Sequence, residues 1–416
     1  MRATVTVWLT WLVLMASANL GTPLYAVYAK RFHFSSLVLT AIFAAYALVL
    51  VPALILFGRL SDRFGRRPVI LTGLTAAAVG LVLFALATGT AWLFAGRACQ
   101  GLAVGMIGGA ATAALVELDP DGDRRRAALF AGLAQAGGSA AGPLVAGVLA
   151  QWAPDPLRLC FYAGIGATVL SAAATLTLPA SEAGGDRWRI QWPRVPRALL
   201  GRFSLVSVTA GVVWAAVALY LSIVPSYVSR RFHTHDLALL AAIASAALLA
   251  SCAAQIVSRV RESSERRDQI VGLLLLAVGL LGLVLVSSLH SLGILVVGAV
   301  LTGIGHGLGF LDAQQEVNEL APAARRGEVT SAFIAVVYFC VAAAVVGAGL
   351  FGVHPVALAL VAIALGTAAW QARVAWNAWL PRWRSGSSPR SRRSQPERSR
   401  SSSRRRSSGR RPARSR

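Results

Sequence analysis

Along the first 378 positions the chain alternates between long apolar stretches and short breaks that hold charge, proline or glycine. The stretches fall at 5–29, 37–57, 69–88, 91–116, 128–150, 158–178, 202–228, 237–257, 269–288, 292–317, 328–350 and 354–378. A membrane-spanning helix needs about 20 mainly apolar residues, so the pattern predicts twelve spans. Strict alternation is absent, and each run is about twice the length that a barrel strand requires. The first run, MRATVTVWLTWLVLMASA, imitates a signal peptide with an Ala-Ser-Ala cleavage site. Its apolar character continues through Leu20, Leu24 and Val27 to Lys30, which predicts an uncleaved first helix.

The pattern repeats. Lys30-Arg31-Phe32-His33 returns as Arg230-Arg231-Phe232-His233, a shift of 200. At a shift of 202, Pro23, Tyr25, Gly101, Gly105, Glu117, Pro120 and Arg124 return as Pro225, Tyr227, Gly303, Gly307, Glu319, Pro322 and Arg326. Two halves of six helices in the same orientation follow, related by an axis along the membrane normal with a path between them. The expected organisation is a bundle over 1–179, a basic cytoplasmic linker over 180–201, a second bundle over 202–378, and a tail over 379–416.

Composition agrees with a membrane protein: 56% of residues are hydrophobic and 14% charged, well below the usual charged share of soluble domains. Of the 40 basic residues, 39 are Arg and one is Lys30, against 17 acids, for a net charge of +23. The Arg clusters fall in alternate loops, and the positive-inside rule then places those loops and both termini in the cytoplasm of an inner (plasma) membrane. Arg382–Arg416 holds 14 Arg and a single acid, Glu397, in a Ser/Pro-rich setting. It cannot bury a core, so a disordered tail attracted to anionic lipids is expected, with nucleic acid a less favoured partner. Cys99, Cys160, Cys252 and Cys340 stand singly in four segments, without disulfide or metal-ligand spacing.

Between the second and third segments lies GRLSDRFGRRP, Gly58 to Pro68. Gly58 and Gly65 supply turn geometry, Asp62 can accept from exposed helix-start N–H groups, and Arg63, Arg66 and Arg67 can pair with carboxylates or lipid phosphates. The string resembles, almost position for position, the signature between the second and third helices of the major facilitator superfamily, a class of secondary transporters. The resemblance implies an all-α polytopic membrane protein with the major facilitator fold, twelve transmembrane helices in two parallel six-helix repeats. It further implies a cytoplasmic latch, with Asp62 facing the region from Gly327 to Thr330 and Arg66 or Arg63 pairing with Glu117. The matching loop of the second half, Val260 to Ile270, lacks the pattern, so one latch is expected.

Arg97 lies about seven residues into the fourth segment, where an ionised guanidinium persists only beside a cavity or a partner. Arg97, Gln100, Gly101 and Gly105 resemble the fourth-helix motif of proton-coupled drug and metabolite exporters, whereas the repeat position holds Ala299. Arg97 is then either a snorkelling residue or a group that attracts an anion or depresses a nearby carboxylate. In the fifth segment Gly138, Gly142, Pro143 and Gly147 resemble an exporter motif in which small residues let helices of opposite halves touch. The resemblance is partial: Ala146, Leu129 and Val345 depart from it. His306, amid alternating glycines in the tenth segment, is either a proton or substrate group or a packed histidine, and Asp312 and Glu316 are expected near a cytoplasmic gate. By resemblance, Asn19, Tyr25, Trp214, Tyr220 and Tyr338 are candidates to line the cavity.

No phosphate-cradling loop, catalytic triad or metal-ligand pattern is present in the sequence, and neither enzyme chemistry nor a cofactor is expected. The expected activity is export of a small amphipathic or drug-like compound by a monomer exchanging it for protons. A sugar or organic-anion uniporter or symporter is the alternative within the fold. A transport-inactive sensor or scaffold acting through the basic tail is the alternative outside it.

Overall fold

The computed structural model describes residues 2–57, 60–179, 194–261, 265–322 and 325–384, with the side chains at 62, 261, 265, 326, 327 and 377–384 outside the description. The described chain is helical. The helices are α1 (Arg2–Asn19), α2 (Tyr25–Arg31), α3 (Ser36–Phe57), α4 (Leu60–Phe64), α5 (Arg66–Ala85), α6 (Thr90–Glu117), α7 (Arg124–Trp152) and α8 (Leu159–Thr175) in the first half. The second half holds α9 (Leu200–Ser222), α10 (Val224–Arg231), α11 (Leu237–Arg261), α12 (Glu265–Leu289), α13 (Leu292–Leu320), α14 (Arg326–Phe351) and α15 (Val353–Arg384). Among the described residues eleven helical spans are long and apolar enough to cross a membrane, counting α1 and α2 as one, and α8 is a shorter apolar helix of 17 residues.

The duplication extends to the backbone. The first span, expected to be continuous, breaks after Asn19 into a 3₁₀ turn at Thr22–Leu24, because Pro23 offers no N–H to continue the ladder. Its image, Pro225, sits at the start of α10 and separates it from α9. Phe32 and Phe232 end α2 and α10 with the same torsions, φ −104° and ψ 6°, and His33 and His233 follow in the left-handed region at φ 52° and 50°.

Packing follows the same symmetry. In the first half α3 and α5 pack on α6, and in the second α11 and α12 pack on α13. The halves meet along two seams, α7 on α11 and α3 on α14. These seams are images of one another, since α3 corresponds to α11 and α7 to α14. Glycine sets the closest approaches: a Cβ on Gly101 would overlap the Tyr46 carbonyl oxygen of α3, and one on Gly303 would overlap the Ala247 carbonyl of α11. Lipid-embedded helices associate through such close van der Waals contact.

Three expectations about helix boundaries and contacts change. Gly138 and Gly142 of α7 admit the Leu12 and Ala16 carbonyls of α1, in their own half, while of the motif glycines Gly147 meets α11 of the other half, at Leu237 and Ala241, as do Gly132 and Gly137 outside the motif, at Gln255 and Cys252. The small residues of α7 thus seat it on α1 as much as on the seam. Residues 197–201, assigned to the linker, are already helical, and 180–193 lie outside the described residues. The helix before the tail continues to Arg384, past the expected boundary at 378, because Trp379, Leu380 and Trp383 prolong the apolar composition. The described residues up to Ala372 belong to one compact unit, and the end of α15 from Arg373 to Arg384 lies outside it. The remainder of the tail, 385–416, lies outside the described residues.

Gly303→Val should lower stability by about 3 kcal/mol, the upper range for overpacking, because a backbone carbonyl cannot move aside. Gly166→Ala, with nothing within 4 Å of the added carbon, should be neutral or slightly stabilising. Thermal unfolding of the purified protein in detergent checks both, and equal melting temperatures for the two variants would refute the packing account.

Candidate functional site

A cavity of about 170 Å³, counted as space open to the centres of water molecules, lies between the halves. Its walls come from α1, α3, α6 and α7 on one side and α9, α13 and α14 on the other. Most of the surface is apolar or aromatic, with Trp11, Phe43, Tyr46, Trp214, Phe310, Phe333 and Tyr338 as the large rings. Along α6 the lining runs from Arg97 to Thr112, about 22 Å at the helical rise. Arg97 therefore sits toward one end, and the other end approaches the helix ends that carry Arg66 and Glu117, the latch end.

Arg97 is 5% exposed and carries the only formal charge among the described lining residues. Its Nη1 donates to the Ala18 carbonyl at 2.8 Å and to Gln100 Oε1 at 3.2 Å, and Gln100 Nε2 donates to the Ser17 carbonyl at 3.2 Å. Both acceptor carbonyls belong to the last turn of α1, where intrahelical donors run out and a cation meets the negative end of the helix dipole. The guanidinium carbon lies 4.5 Å from the Phe43 ring centroid, 5.1 Å from Tyr46 and 5.9 Å from Tyr25, so aromatic faces replace part of its hydration. Of the alternatives for Arg97, a carboxylate neighbour has no support: among the described residues no acid contacts it, and carbonyl, amide and ring contacts hold it instead.

The other candidates divide. Asn19 and Tyr338 line the cavity, Asn19 donating to the Met15 carbonyl at 2.9 Å and to Ser139 Oγ at 3.3 Å, and Tyr338 packing on Tyr46 at 6.1 Å across the halves. Trp214 lines it as well, but Tyr220 does not. Tyr25 is buried against Phe43, Tyr28 and Phe84, behind the wall rather than in it, and Gln100 is likewise enclosed. His306 sits one layer back, its ring edge-on to Trp214 at 4.5 Å and stacked on Phe310 at 5.6 Å, with Nδ1 paired to Ser251 Oγ at 2.8 Å. Asp312 is buried on α13 and outside the lining.

At the latch end Arg66 grips Glu117, Nη2 to Oε1 at 2.7 Å and Nε to Oε2 at 3.3 Å, and also holds Ser61. Arg63 is not on Glu117 but over the Phe64 ring at 5.2 Å. Gly58 and the Asp62 side chain lie outside the described residues, Gly65 enters α5 at φ 89°, and Arg67 is partly buried. The pairs that cross between halves lie elsewhere. Arg259 of α11 donates to Asp123 at 2.8 Å, and Arg125 approaches Glu319 at 4.0 Å. Asp123 also caps α7, accepting from the backbone N–H groups of Arg125 and Arg126. Within the second half Glu316 accepts from Arg202 at 2.8 Å and from Gln269 at 3.0 Å.

A profile of the Major Facilitator Superfamily matches residues 6–347. The chain belongs to that superfamily. Over 156 residues this facilitator-superfamily chain is 33% identical to a triacylglyceride transporter of Mycobacteroides abscessus, covering 36% of the chain and 29% of that protein. Over 168 residues it is 30% identical to a puromycin resistance protein of Streptomyces alboniger, covering 40% and 32%. A cephamycin export protein of Amycolatopsis lactamdurans is 34% identical over 173 residues, covering 40% and 34%. The matched stretches span about a third of these relatives' length. The structure of a human organic anion transporter superposes with a TM-score of 0.67 at 17% identity, over 89% of this chain and 99% of that one, a likeness of fold. Within this superfamily member the sequence-based candidates omitted Phe43, Tyr46, Gln135 and Asn318, which line the cavity. Gln135 carried a signal, an amide inside the apolar run of α7, whereas the aromatics are indistinguishable from packing residues.

Outside the membrane segments, two hydrogen bonds of 2.7 Å from Arg126 hold the Asp119 carboxyl down to about 2, below its ordinary 3.8. A lowered folded value means that the contribution of this clamp is complete above about pH 4 and is lost as pH falls toward 2. Cleavage of the 119–126 loop by an acid-active protease should accordingly rise between pH 4 and 2 in the unaltered protein. In Asp119→Asn it should already be high at pH 4; identical profiles would remove the clamp.

Proposed function

We propose that the protein is a carrier rather than an enzyme, a secondary active transporter that exports a small amphipathic compound by alternating access in exchange for protons. The observation that carries this reading is the central cavity walled by both halves and flanked by two symmetry-related seams. Rocking about such seams exposes one site to each side in turn. The apolar and aromatic lining suits a compound that partitions into lipid. Export is supported by the partial exporter motif of α7 and by the names of the matched relatives, a puromycin resistance protein and a cephamycin export protein among them.

The Arg66–Glu117 grip belongs to the first half alone, and Asp123–Arg259 with Arg125–Glu319 bridges the halves at the same end. In this reading the bridging pairs break when that end opens. The basic tail serves as a tether to anionic lipids, and the termini face the cytoplasm.

In proteoliposomes with an imposed pH gradient, an uncharged lipophilic dye should move against its own gradient, and collapsing the pH gradient should stop it. Arg97→Ala should reduce coupled flux to the protein-free background while inserting at the normal level. Dye movement indifferent to the pH gradient would refute proton exchange, and undiminished coupled flux in Arg97→Ala would refute the role of Arg97.

A further inference from the structure

Arg97 poses an electrostatic problem that the protein leaves open. Its Nη1 is spent on Ala18 and Gln100, Nε is buried without a partner, and Nη2 has no bond to a described residue, while Arg97 itself lines the cavity. Carbonyl dipoles and ring faces soften the cost of burying the cation but do not cancel its charge. The rest of the described lining is neutral, so Arg97 is the one formal charge that the described wall offers to a ligand in this low-dielectric cavity. A guanidinium donates most strongly to carboxylate-like or sulfonate-like oxygens.

Position adds shape to charge. Arg97 stands at one end of a lining that extends about 22 Å along α6 toward Thr112, past Phe43, Tyr46, Trp11 and Phe333. A ligand that satisfies Nη2 with its head therefore has an apolar corridor for its body. We propose that the cavity selects amphipathic organic anions, with the acidic head on Arg97 and the hydrophobic body laid toward the latch end. This inference rests on the transport reading for its biological sense, but it concerns equilibrium binding and stands or falls by a separate measurement. Proton exchange at this site calls for a carrier group outside the described lining, because a proton on the ligand's own acidic group would travel with it rather than against it.

The test uses three probes of one shape: naphthalene-2-sulfonate, 2-naphthylmethylammonium and 2-naphthalenemethanol. Each is titrated calorimetrically against the full-length protein in nanodiscs, with protein-free nanodiscs subtracted. The sulfonate should bind about tenfold more tightly than the ammonium probe, a ratio of the size expected for one charge-assisted contact. Arg97→Gln should reduce that ratio to near one, and Arg97→Lys, which keeps the charge, should preserve its direction. Thermal unfolding of each variant verifies that the α1 end remains folded, and the probe ratio in the unaltered protein decides the matter even if a variant fails to fold. Equal affinity for sulfonate and ammonium in the unaltered protein, or a preference undiminished in a folded Arg97→Gln, would overturn the proposal. Sulfonate counterflow separates the two readings. Selective binding without counterflow sinks transport and leaves the anion site standing, whereas dye flux without sulfonate preference sinks the anion site alone.

Discussion

Backbones of neighbouring helices come into contact at glycines in this protein, and the bundle depends on that constraint. Apolar side chains gain little by leaving lipid for one another, so association has to come from backbone contact and dispersion. Gly101 and Gly105 bring α6 against the α3 backbone, and Gly303 and Gly307 bring α13 against α11 in the same way. The cavity is the complement of these contacts. It occupies the space between the halves where Trp11, Tyr46, Trp214 and Phe310 stand in place of small residues and hold the walls apart.

The duplication explains most of the architecture, and its failures locate the chemistry. Equivalent prolines break the first span of each half, equivalent histidines turn the chain after α2 and α10, and the two seams are images of each other. Against this background Arg97 faces Ala299 at the repeat position, and a buried ionised group that symmetry does not demand has to be explained by what it touches. It touches the end of α1 and the cavity. The latch end is similarly uneven: the first half closes its own hairpin with Arg66 and Glu117, while Asp123 and Arg259 join the halves.

Much of this was legible in the residues. Span positions follow from hydrophobic length, and the halves from a constant offset, because both are properties of the chain taken in order. The break after Asn19 was signalled by Gly21 and Pro23 but masked by the continuous apolar composition around them. Side-chain direction is harder to read, since helical neighbours three residues apart can face a cavity or a packed interior with identical composition. Asn19 lines the void while Gln100 faces α1, and Tyr338 lines it while Tyr25 is enclosed by Phe43 and Phe84. His306 stood out for its glycine setting, and the Trp214 ring in front of it removes it from the wall.

The two breaks in the initial spans also differ in how they are held. At the second, Ser222 satisfies the Ala218 carbonyl from within its own helix. At the first, the Ala18 carbonyl is held by a cation borrowed from α6, and that same guanidinium looks into the void. The joint between α1 and α2 therefore leans on a neighbouring helix, whereas its twin is closed from within.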